Sequence, residues 1–427
     1  MIPRLLFYLL LALLPTQIGR HFFFNFSAIN GLYSDYLIPV VYPTDIIVFL
    51  IIFIQLGLKT SYYKFNLKNL YKKPSVIVLL SVILYLLINV IFVAASKWVA
   101  LYKMVKITEF ILLGFVIIKI KPAFLKTVFF LSIGAFYSSI LAIWQFIFQR
   151  SIGGFWWYLG ERTFSVTTPG IAAFNWRGNL VLRSYATFPH PNILAGFLVV
   201  TICLMLVLLI NQKRKIGAIT LCWLFSVCIL SVVGLIFTFS RLSWLFLLVG
   251  IIVTFLYNQN IKKNIIIREN FLLLLIFFYI FLSVTIPFFI YQLNFFGGTS
   301  LKERLDLANQ TIIMISSYPV FGVGLNNSII QVVKMLSGGF GLYFFQPVHN
   351  IYLLITSETV LTGFFLFLFY MSITISKSLR LSSPYLPVVL VLILLGGFDH
   401  YLLTLQQGIL IFVLFASLAF LPKNDVN

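Results

Sequence analysis

Runs of about 20 mostly apolar residues dominate the sequence, and this is the length a helix needs to cross the hydrocarbon core of a membrane. They recur along a chain of 427 residues, of which 61% are hydrophobic and 9% are charged. The runs are continuous rather than alternating, which excludes a transmembrane β-barrel. The sequence therefore predicts an all-α polytopic membrane protein with a single integral membrane domain over residues 1–427.

The apolar runs predict about twelve transmembrane helices. We place them at residues 4–19, 41–58, 74–95, 98–118, 122–148, 190–210, 216–238, 242–257, 270–291, 350–375, 384–398 and 402–421. The first run resembles a signal peptide, but no small-residue cleavage site follows it, so we interpret it as a retained helix. Cys203, Cys222 and Cys228 fall inside predicted spans, which argues against disulfides and zinc sites.

The distribution of charge predicts the orientation of the chain. With the N-terminus in the cytoplasm, 18 of the 30 basic residues fall in inner segments, and every inner loop is basic. This is what the positive-inside rule requires. The same rule accounts for the net charge of +20, so the charge gives no reason to expect a nucleic-acid partner.

The remaining basic residues are mostly arginines. Seven of these twelve are arginine, against four of the eighteen inside; the seven are Arg20, Arg150, Arg162, Arg177, Arg183, Arg241 and Arg304. The planar guanidinium suits bidentate binding of phosphate and carboxylate. An anionic ligand on the outer face explains the bias, and simple snorkelling of interfacial side chains is the alternative.

Two long outer loops are predicted, at residues 149–189 and 291–349. Loops of this length are usually functional. In the first, Trp156, Trp157 and Tyr158 fit an interfacial aromatic belt, or else a platform on which sugars stack. In the second, the S-x-x-E capping box and apolar periodicity predict an amphipathic helix at 300–317.

The second loop also holds an arginine and a glycine-rich turn. Arg304 lies beside the apolar face of the predicted helix, where it can point into a cleft beneath; its alternative is an ion pair with Glu303 or Asp306. The glycines of the segment PVFGVGLNN, residues 319–327, allow a tight turn and close backbone approach. No strand precedes this segment, so it is not predicted to bind a nucleotide.

Other candidate residues lie at the outer ends of predicted spans. Arg241 begins one span, and an arginine near the membrane is a functional candidate unless it only anchors its helix. Arg183 precedes another span, and His190 stands between two prolines, where helix initiation with Asn192 as the cap is the alternative to ligand binding.

His349 directly precedes the tenth predicted span, with Asn350 beside it. The dipole at a helix N-terminus disfavours an imidazolium, which suits a general base. The alternative is a polar cap at the membrane interface. Asp399 and His400 also fall on the outer side, where they can orient His349 or line the cleft. No metal-binding spacing is present, so no metal or other cofactor is predicted and arginines would neutralise a phosphate leaving group.

The order of these motifs resembles the bacterial O-antigen ligase and O-antigen polymerase superfamily. The order is RSYATFPHPN, an SR pair at a helix start, Arg304 before PVFGVGLNN, and HN opening a span, over residues 183–410. The resemblance implies a multi-spanning GT-C-like glycosyltransferase of the inner membrane that uses neither ATP nor metal. It implies that His349 is the general base, that Arg241 and Arg304 act at the carrier diphosphate, and that Arg183 matches a recurrent arginine of polymerases.

Two functions from different classes follow. In the first, glycan passes from an undecaprenyl-diphosphate carrier to a lipid or glycan acceptor at the periplasmic face. Arg183, Asn350, His190, Asp399 and His400 would then contact substrate. In the second, a transporter or flippase uses the same arginines to bind a lipid-linked saccharide and forms no bond; a non-catalytic scaffold of envelope assembly is a third reading. Ligase, polymerase and protein O-glycosyltransferase activities are not distinguished by the pattern.

Overall fold

The computed structural model describes residues 1–60, 74–210, 216–258, 265–293, 299–335 and 346–422, and most of them are helical. In chain order the elements are α1 (Ile2–Leu13), β1 (Arg20–His21), β2 (Ala28–Ile29), β3 (Leu32–Tyr33), β4 (Val40–Val41), α2 (Pro43–Thr60), α3 (Pro74–Ile88), α4 (Lys97–Ile120), α5 (Phe124–Phe148), β5 (Ala173–Trp176), β6 (Asn179–Leu182), α6 (Pro191–Ile210), α7 (Ala218–Phe237), α8 (Arg241–Asn258), α9 (Ile265–Gln292), α10 (Thr299–Ser317), α11 (Ser328–Met335), α12 (Ile351–Arg380), α13 (Leu386–Gly396), α14 (Tyr401–Thr404) and α15 (Gln406–Leu418).

Five helical segments of the described chain are long and apolar enough to cross a membrane, and six further apolar helices are shorter. The five are Phe124–Phe148, Pro191–Ile210, Ala218–Phe237, Ile267–Gln292 and Ile351–Arg380. The predicted class is confirmed, but the count of about twelve spans is not. Helix α1 has 12 residues and α13 has 11, so each reaches only about 16–18 Å, against roughly 30 Å of hydrocarbon.

Two predicted spans differ from their helices because the backbone breaks. The run 402–421 is divided at Leu405, whose φ of −115° and ψ of 142° are extended, into α14 and α15. Helix α12 continues to Arg380 but is interrupted at Val360, where φ is 54° and ψ is −159°. The mean hydropathy of a span does not reveal such breaks, because each run as a whole remains apolar.

Helix α6 lies at the centre of the bundle, with 83% of its apolar window buried. Its neighbours are α5, α7, α8 and α13. Helix α9 lies at the periphery, and Phe271, Leu274, Phe278 and Phe281 on one of its faces are each about 60% exposed. Their spacing of three and four residues is that of a single helix face, which in a membrane protein meets lipid. Because α6 is buried among its neighbouring helices, the position of its N-terminus is fixed relative to theirs.

The segment that joins α5 to α6, residues 149–190, is ordered by its own contacts, and we call this end of the helices the loop end. Strands β5 and β6 form an antiparallel hairpin. Glu161 is buried and its carboxylate accepts hydrogen bonds from the Ile152 and Gly153 amides, at 2.8 and 2.7 Å, and from Gln145 Nε2, at 2.8 Å. A buried carboxylate with several donors is well compensated, so this loop is a rigid part of the fold.

The glycine-rich segment 319–327 lies between α12 and the turn that joins α3 to α4. The Val323 and Gly324 amides donate to the Ser357 and Glu358 carbonyls, at 3.0 and 3.2 Å, and the Leu325 amide donates to Asn89 Oδ1 at 2.8 Å. Gly324 has φ of +92° and approaches the backbone of Ala94 so closely that a Cβ would lie 2.4 Å from its Cα. The expected close backbone approach is therefore made to protein.

A polar network joins α2, α4 and α15 inside the bundle. Lys106 forms an ion pair with Asp45, and Glu109, three residues on in α4, lies 3.6 Å from Lys106. The Gln406 side chain also donates to Asp45. Because an unpaired charge inside a membrane protein is costly, these contacts identify Lys106 as a structural residue that ties three helices together.

Candidate functional site

The candidate residues meet at the loop end, where the starts of α6, α8 and α12 surround the turn between α13 and α14. His349 precedes α12, and Asp399 and His400 form the turn. Nδ1 of His349 lies 3.6 Å from Oδ1 of Asp399, and the rings of His349 and His400 are 4.9 Å apart. Residues separated by about 50 positions in sequence thus form one side-chain cluster.

His349 has an unused nitrogen inside this cluster. Nδ1 is buried and has no hydrogen-bond partner in the described chain, and its distance from Asp399 exceeds that of a hydrogen bond. Catalytic contacts in ligand-free proteins are often long and tighten on binding. Movement of the imidazole by less than 1 Å would bring the Asp399 carboxylate into hydrogen-bond range, about 2.8 Å.

Asp399 is fixed by donors on either side. Its Oδ2 accepts from Asn192 Nδ2 at 2.9 Å, and its Oδ1 accepts from the amide of His400 at 2.8 Å. Burial alone would raise the pKa of the Asp399 carboxyl, but His349 and Arg304 beside it hold that pKa well below its usual range. Asp399 is therefore a fixed negative charge at neutral pH, in contact distance of an imidazole.

Arg183 supports Asp399 through an asparagine. Its Nε donates to the Thr238 carbonyl at 2.8 Å and its Nη2 donates to Asn192 Oδ1 at 2.7 Å. Burial, together with the positive charges of Arg304 and Arg241, lowers the pKa of Arg183 to about 10, so the guanidinium stays charged at neutral pH. Two of its nitrogens donate to protein, and the hydrogen-bonded series Arg183–Asn192–Asp399 holds the carboxylate that faces His349.

Arg241 and Arg304 differ from Arg183 in their contacts. Arg241 is the first residue of α8 and Arg304 lies on α10. Within the described residues neither guanidinium forms an ion pair or a hydrogen bond, so the alternative pairing of Arg304 with Glu303 or Asp306 is absent there. Their charges nevertheless act on the same group, Arg183. Two cations with free donors near one site are suited to an anion.

The other two histidines of the cluster are neutral. His190 Nδ1 accepts from the Asn192 amide at 3.1 Å, so the histidine caps α6 and the Asn192 side chain is left for Arg183 and Asp399. His400 Nδ1 lies 2.7 Å from Thr404 Oγ1. Burial, assisted by the charge of Arg304, lowers the pKa of both histidines to about 3. They are therefore weak bases.

Asn350 has a structural role in place of the predicted substrate contact. Its Oδ1 accepts from the amides of Tyr352 and Leu353, at 2.9 and 3.1 Å, which makes it the N-cap of α12. Its Nδ2 donates to the carbonyls of Ser283 and Gly397, at 2.9 and 3.1 Å. Asn350 is 3% exposed and its side chain offers no free group. Its contacts instead fix the position of the neighbouring His349.

Two residues of the earlier segments also reach the site: Arg162 is one of the predicted outer arginines, whereas no sequence pattern selects Tyr36. The Tyr36 ring meets His400 edge-on at 5.3 Å, and its carbonyl accepts from Asn326 Nδ2 at 2.9 Å. Arg162 donates to the Pro189 carbonyl at 2.6 Å and lies 5.6 Å from the Tyr185 ring centre. Burial and the charge of Asp399 raise the pKa of Tyr36, whereas Arg162 lowers it. Both side chains therefore border the histidine cluster.

The side chains of His349, Asp399 and His400 are of types that can also bind a metal ion. One donor atom each of His349, Asp399 and His400 lies within 4.8 Å of the others, whereas the ligands of one tetrahedral zinc are about 3.4 Å apart. Arg304 and Arg183 also act electrostatically on this cluster, and their charges oppose a dication. The described residues fit an anion better than a metal.

Comparison with protein families places this geometry in context. Residues 226–371 match a family model described as O-antigen ligase. This match supports the O-antigen ligase and polymerase superfamily. The matched region contains Arg241, Arg304 and His349, and the resemblance seen in the sequence is confirmed. No curated protein matches the chain.

Several site residues lie outside the matched O-antigen ligase region. Arg183, His190, Asp399 and His400 flank it in the sequence, as do Tyr36 and Arg162. The family match supports glycan transfer of the O-antigen ligase or polymerase type by a membrane enzyme, with lipid-linked glycan as the class of substrate.

Proposed function

We propose that the protein transfers glycan from an undecaprenyl-diphosphate carrier to an acceptor hydroxyl at the periplasmic face of the bacterial inner membrane, without metal or ATP. The observation that carries this proposal is the proximity of His349 to a fixed carboxylate, Asp399, beside two arginines that have no partner among the residues that the structure describes. A base and an anion site next to each other are what a glycosyl transfer from a diphosphate requires.

In the proposed reaction His349 takes the proton of the acceptor hydroxyl as its oxygen attacks the anomeric carbon of the donor. The new glycosidic bond forms as the bond from that carbon to the diphosphate oxygen breaks, and the electron pair leaves with the polyprenyl diphosphate. Asp399 stabilises the imidazolium that forms, as a carboxylate does in other histidine-based sites. The chain Arg183–Asn192–Asp399 keeps this carboxylate in place.

We propose that Arg241 and Arg304 neutralise the charge that develops on the departing diphosphate. Their unused donors can form charge-assisted hydrogen bonds, which are shorter and about twice as strong as neutral ones. Loss of one such group from a preorganised site costs about 10²–10³ in rate. His190 and His400 would then border the bound substrate as neutral groups.

The test uses purified protein in detergent with an undecaprenyl-diphosphate-linked glycan, candidate acceptors, a metal chelator and no ATP. Release of lipid diphosphate together with joined glycan is expected for the wild type. His349→Ala should lower the rate by about 10²–10⁴, and Arg304→Ala by about 10²–10³. Arg177→Gln, at the exposed tip of the β5–β6 hairpin, is the matched control and should retain the rate.

Three outcomes would contradict the proposal. If transfer required a divalent metal, the metal ion and not the arginines would neutralise the charge of the diphosphate. Undiminished transfer by His349→Ala would show that His349 is not the general base. Donor binding without release for every acceptor tried would favour transport of a lipid-linked saccharide.

The acceptor side of the site supplies a further prediction. We propose that the acceptor sugar packs beside Tyr36, whose hydroxyl has no protein hydrogen bond in the described chain. Tyr36→Phe should therefore raise the KM for acceptor about fivefold, the value of one hydrogen bond of about 1 kcal/mol, and leave the donor KM unchanged. Tyr33→Phe, an exposed residue of the same segment, is the control. An equal rise in both KM values would contradict the assignment.

A further inference from the structure

A cavity opens at the end of the bundle opposite the loop end. It has a volume of about 1040 Å³, and the side chains of α1, the α4–α5 turn and the start of α5 line it. Three of its lining residues are cationic: Arg4, Lys121 and Lys126. No acidic residue lines it. The family match and the proposed reaction do not involve this cavity.

Backbone geometry adds to the positive potential of the cavity. Helices α1 and α5 both begin here, at Ile2 and Phe124, and the N-terminal end of a helix carries a partial positive charge. Cations that only orient a membrane protein need no cavity, since they can extend into water. Three cations and two helix starts around one half-open cavity make a site for an anion.

The walls are held by specific contacts. Arg4 Nε donates to the Ile120 carbonyl at 2.6 Å, which ties α1 to the last turn of α4. The Ala123 amide donates to the Tyr8 hydroxyl at 3.0 Å, which ties α1 to the start of α5. Arg4 uses only its Nε in this contact, so its two terminal nitrogens remain for a ligand.

The cavity is apolar behind its charges. The rings of Tyr8 and Phe130 stack with centres 5.2 Å apart, and Phe129 meets Phe130 edge-on at 5.6 Å. Leu5, which also lines the cavity, is 64% exposed and, in a membrane, meets acyl chains. An anion bound here would have an apolar portion beside its phosphate.

We propose that this cavity binds the phosphate group of an anionic phospholipid of the inner leaflet, with the acyl chains against Leu5, Phe129 and Phe130. Basic pockets between transmembrane helices on the cytoplasmic side bind such head groups, and each Lys or Arg contributes about fivefold to the affinity. The occupied site would fix α1 against α4 and α5, which are held together by few polar contacts at this end.

Native mass spectrometry of the delipidated full-length protein tests the proposal. The probes are dioleoylphosphatidylglycerol, dioleoylphosphatidylcholine and inorganic phosphate. The wild type should bind the phosphatidylglycerol at least tenfold more tightly than the phosphatidylcholine, and each of Arg4→Gln, Lys121→Gln and Lys126→Gln should lose about fivefold, with about 100-fold lost in the triple variant. Lys119→Gln, an exposed residue of the same turn that does not line the cavity, is the matched control.

The remaining outcomes overturn the proposal. Equal binding of both lipids would show ordinary boundary lipid. Binding of inorganic phosphate as tight as that of phosphatidylglycerol would show a site for free phosphate. An equal loss of lipid affinity in Lys119→Gln and Lys121→Gln would show a diffuse effect of charge. Both substitutions are at exposed positions and should leave the melting temperature unchanged.

Discussion

At the scale of single residues, the site depends on which groups are already satisfied by protein. Asn350 and Arg183 are engaged by protein hydrogen bonds. His349 Nδ1 and the guanidinium of Arg304 have none in the described chain. A buried polar group without a partner is costly. In the proposed reaction, closer approach to Asp399 satisfies His349 Nδ1 and the diphosphate satisfies Arg304. This contrast, which no sequence pattern displays, separates supporting residues from those proposed to act on substrate.

Asp399→Asn tests whether the carboxylate positions and stabilises His349. The amide can keep the bond from the His400 amide but removes the negative charge, so we expect kcat to fall about 10²–10⁴-fold with donor KM nearly unchanged. Steady-state release of lipid diphosphate measures both. Asp306→Asn, on α10, is the control. A rise in KM with unchanged kcat would instead assign Asp399 to substrate binding.

The neutral histidines predict that acid destabilises the fold. The pKa of His400 falls from 6.5 in the unfolded chain to about 3 in the folded one, so the unfolded state binds more protons between these values and stability rises with pH. The contribution is complete above pH 6.5 and decreases below it, by about 2 kcal/mol at pH 5. His400→Gln should therefore show a smaller drop in melting temperature from pH 7.5 to pH 5. An equal drop in both proteins would contradict this.

Among the elements, the second long outer loop is held in the fold by its own packing contacts. Helix α10 runs over Thr299–Ser317 and packs against α9, α11 and α12. The segment that follows it is clamped between α12 and the α3–α4 turn, where Glu358 accepts from Ser328 Oγ at 2.8 Å. Because Arg304 and His349 lie on elements joined by this clamp, its packing fixes their separation.

Gly324→Ala tests the clamp. A Cβ would meet the backbone of Ala94 at 2.4 Å in a left-handed conformation, so we expect a loss of about 2–5 kcal/mol, from roughly 1–2 for the backbone and 1–3 for the clash. Gly31→Ala is the matched control, since Gly31 has φ of +82° but no atom within 4 Å of its Cβ position. Thermal unfolding measures both, and equal losses would show that the close contact is unimportant.

At the scale of the whole molecule, the two ends of the bundle differ in chemistry. The loop end carries arginines around a histidine cluster, and the opposite end carries lysines and an arginine around an apolar cavity. Delocalised guanidinium groups suit a diphosphate at a reacting centre. The proposed orientation assigns the first end to the periplasm and the second to the cytoplasm.

Cysteine labelling tests this orientation. In a background with Cys203, Cys222 and Cys228 replaced, Arg177→Cys should react with a membrane-impermeant maleimide in spheroplasts. Lys119→Cys should react only after permeabilisation, because the positive-inside rule keeps basic loops in the cytoplasm. The reverse pattern would invert the topology and would move the proposed reaction to the wrong side of the membrane.

The class of the protein could be predicted from the sequence, because apolar run length and charge asymmetry are local properties. The order of the motifs predicted the superfamily and identified Arg241, Arg304 and His349 as candidates, since each stands at a polar position near an apolar run. The backbone breaks at Leu405 and Val360 could not be predicted, because they leave the mean hydropathy of the run unchanged.

Only the tertiary structure decided which residues share a site. Tyr36 meets His400 across 364 positions of sequence, and Asn192 meets Asp399 across 207. Contacts of this kind arise from the packing of helix ends around the buried α6, and one sequence carries no record of such distances. Which polar groups find hydrogen-bond partners is likewise a property of the folded chain. The sequence therefore could not show that Asn350 caps a helix or that His349 Nδ1 has no partner in the described chain.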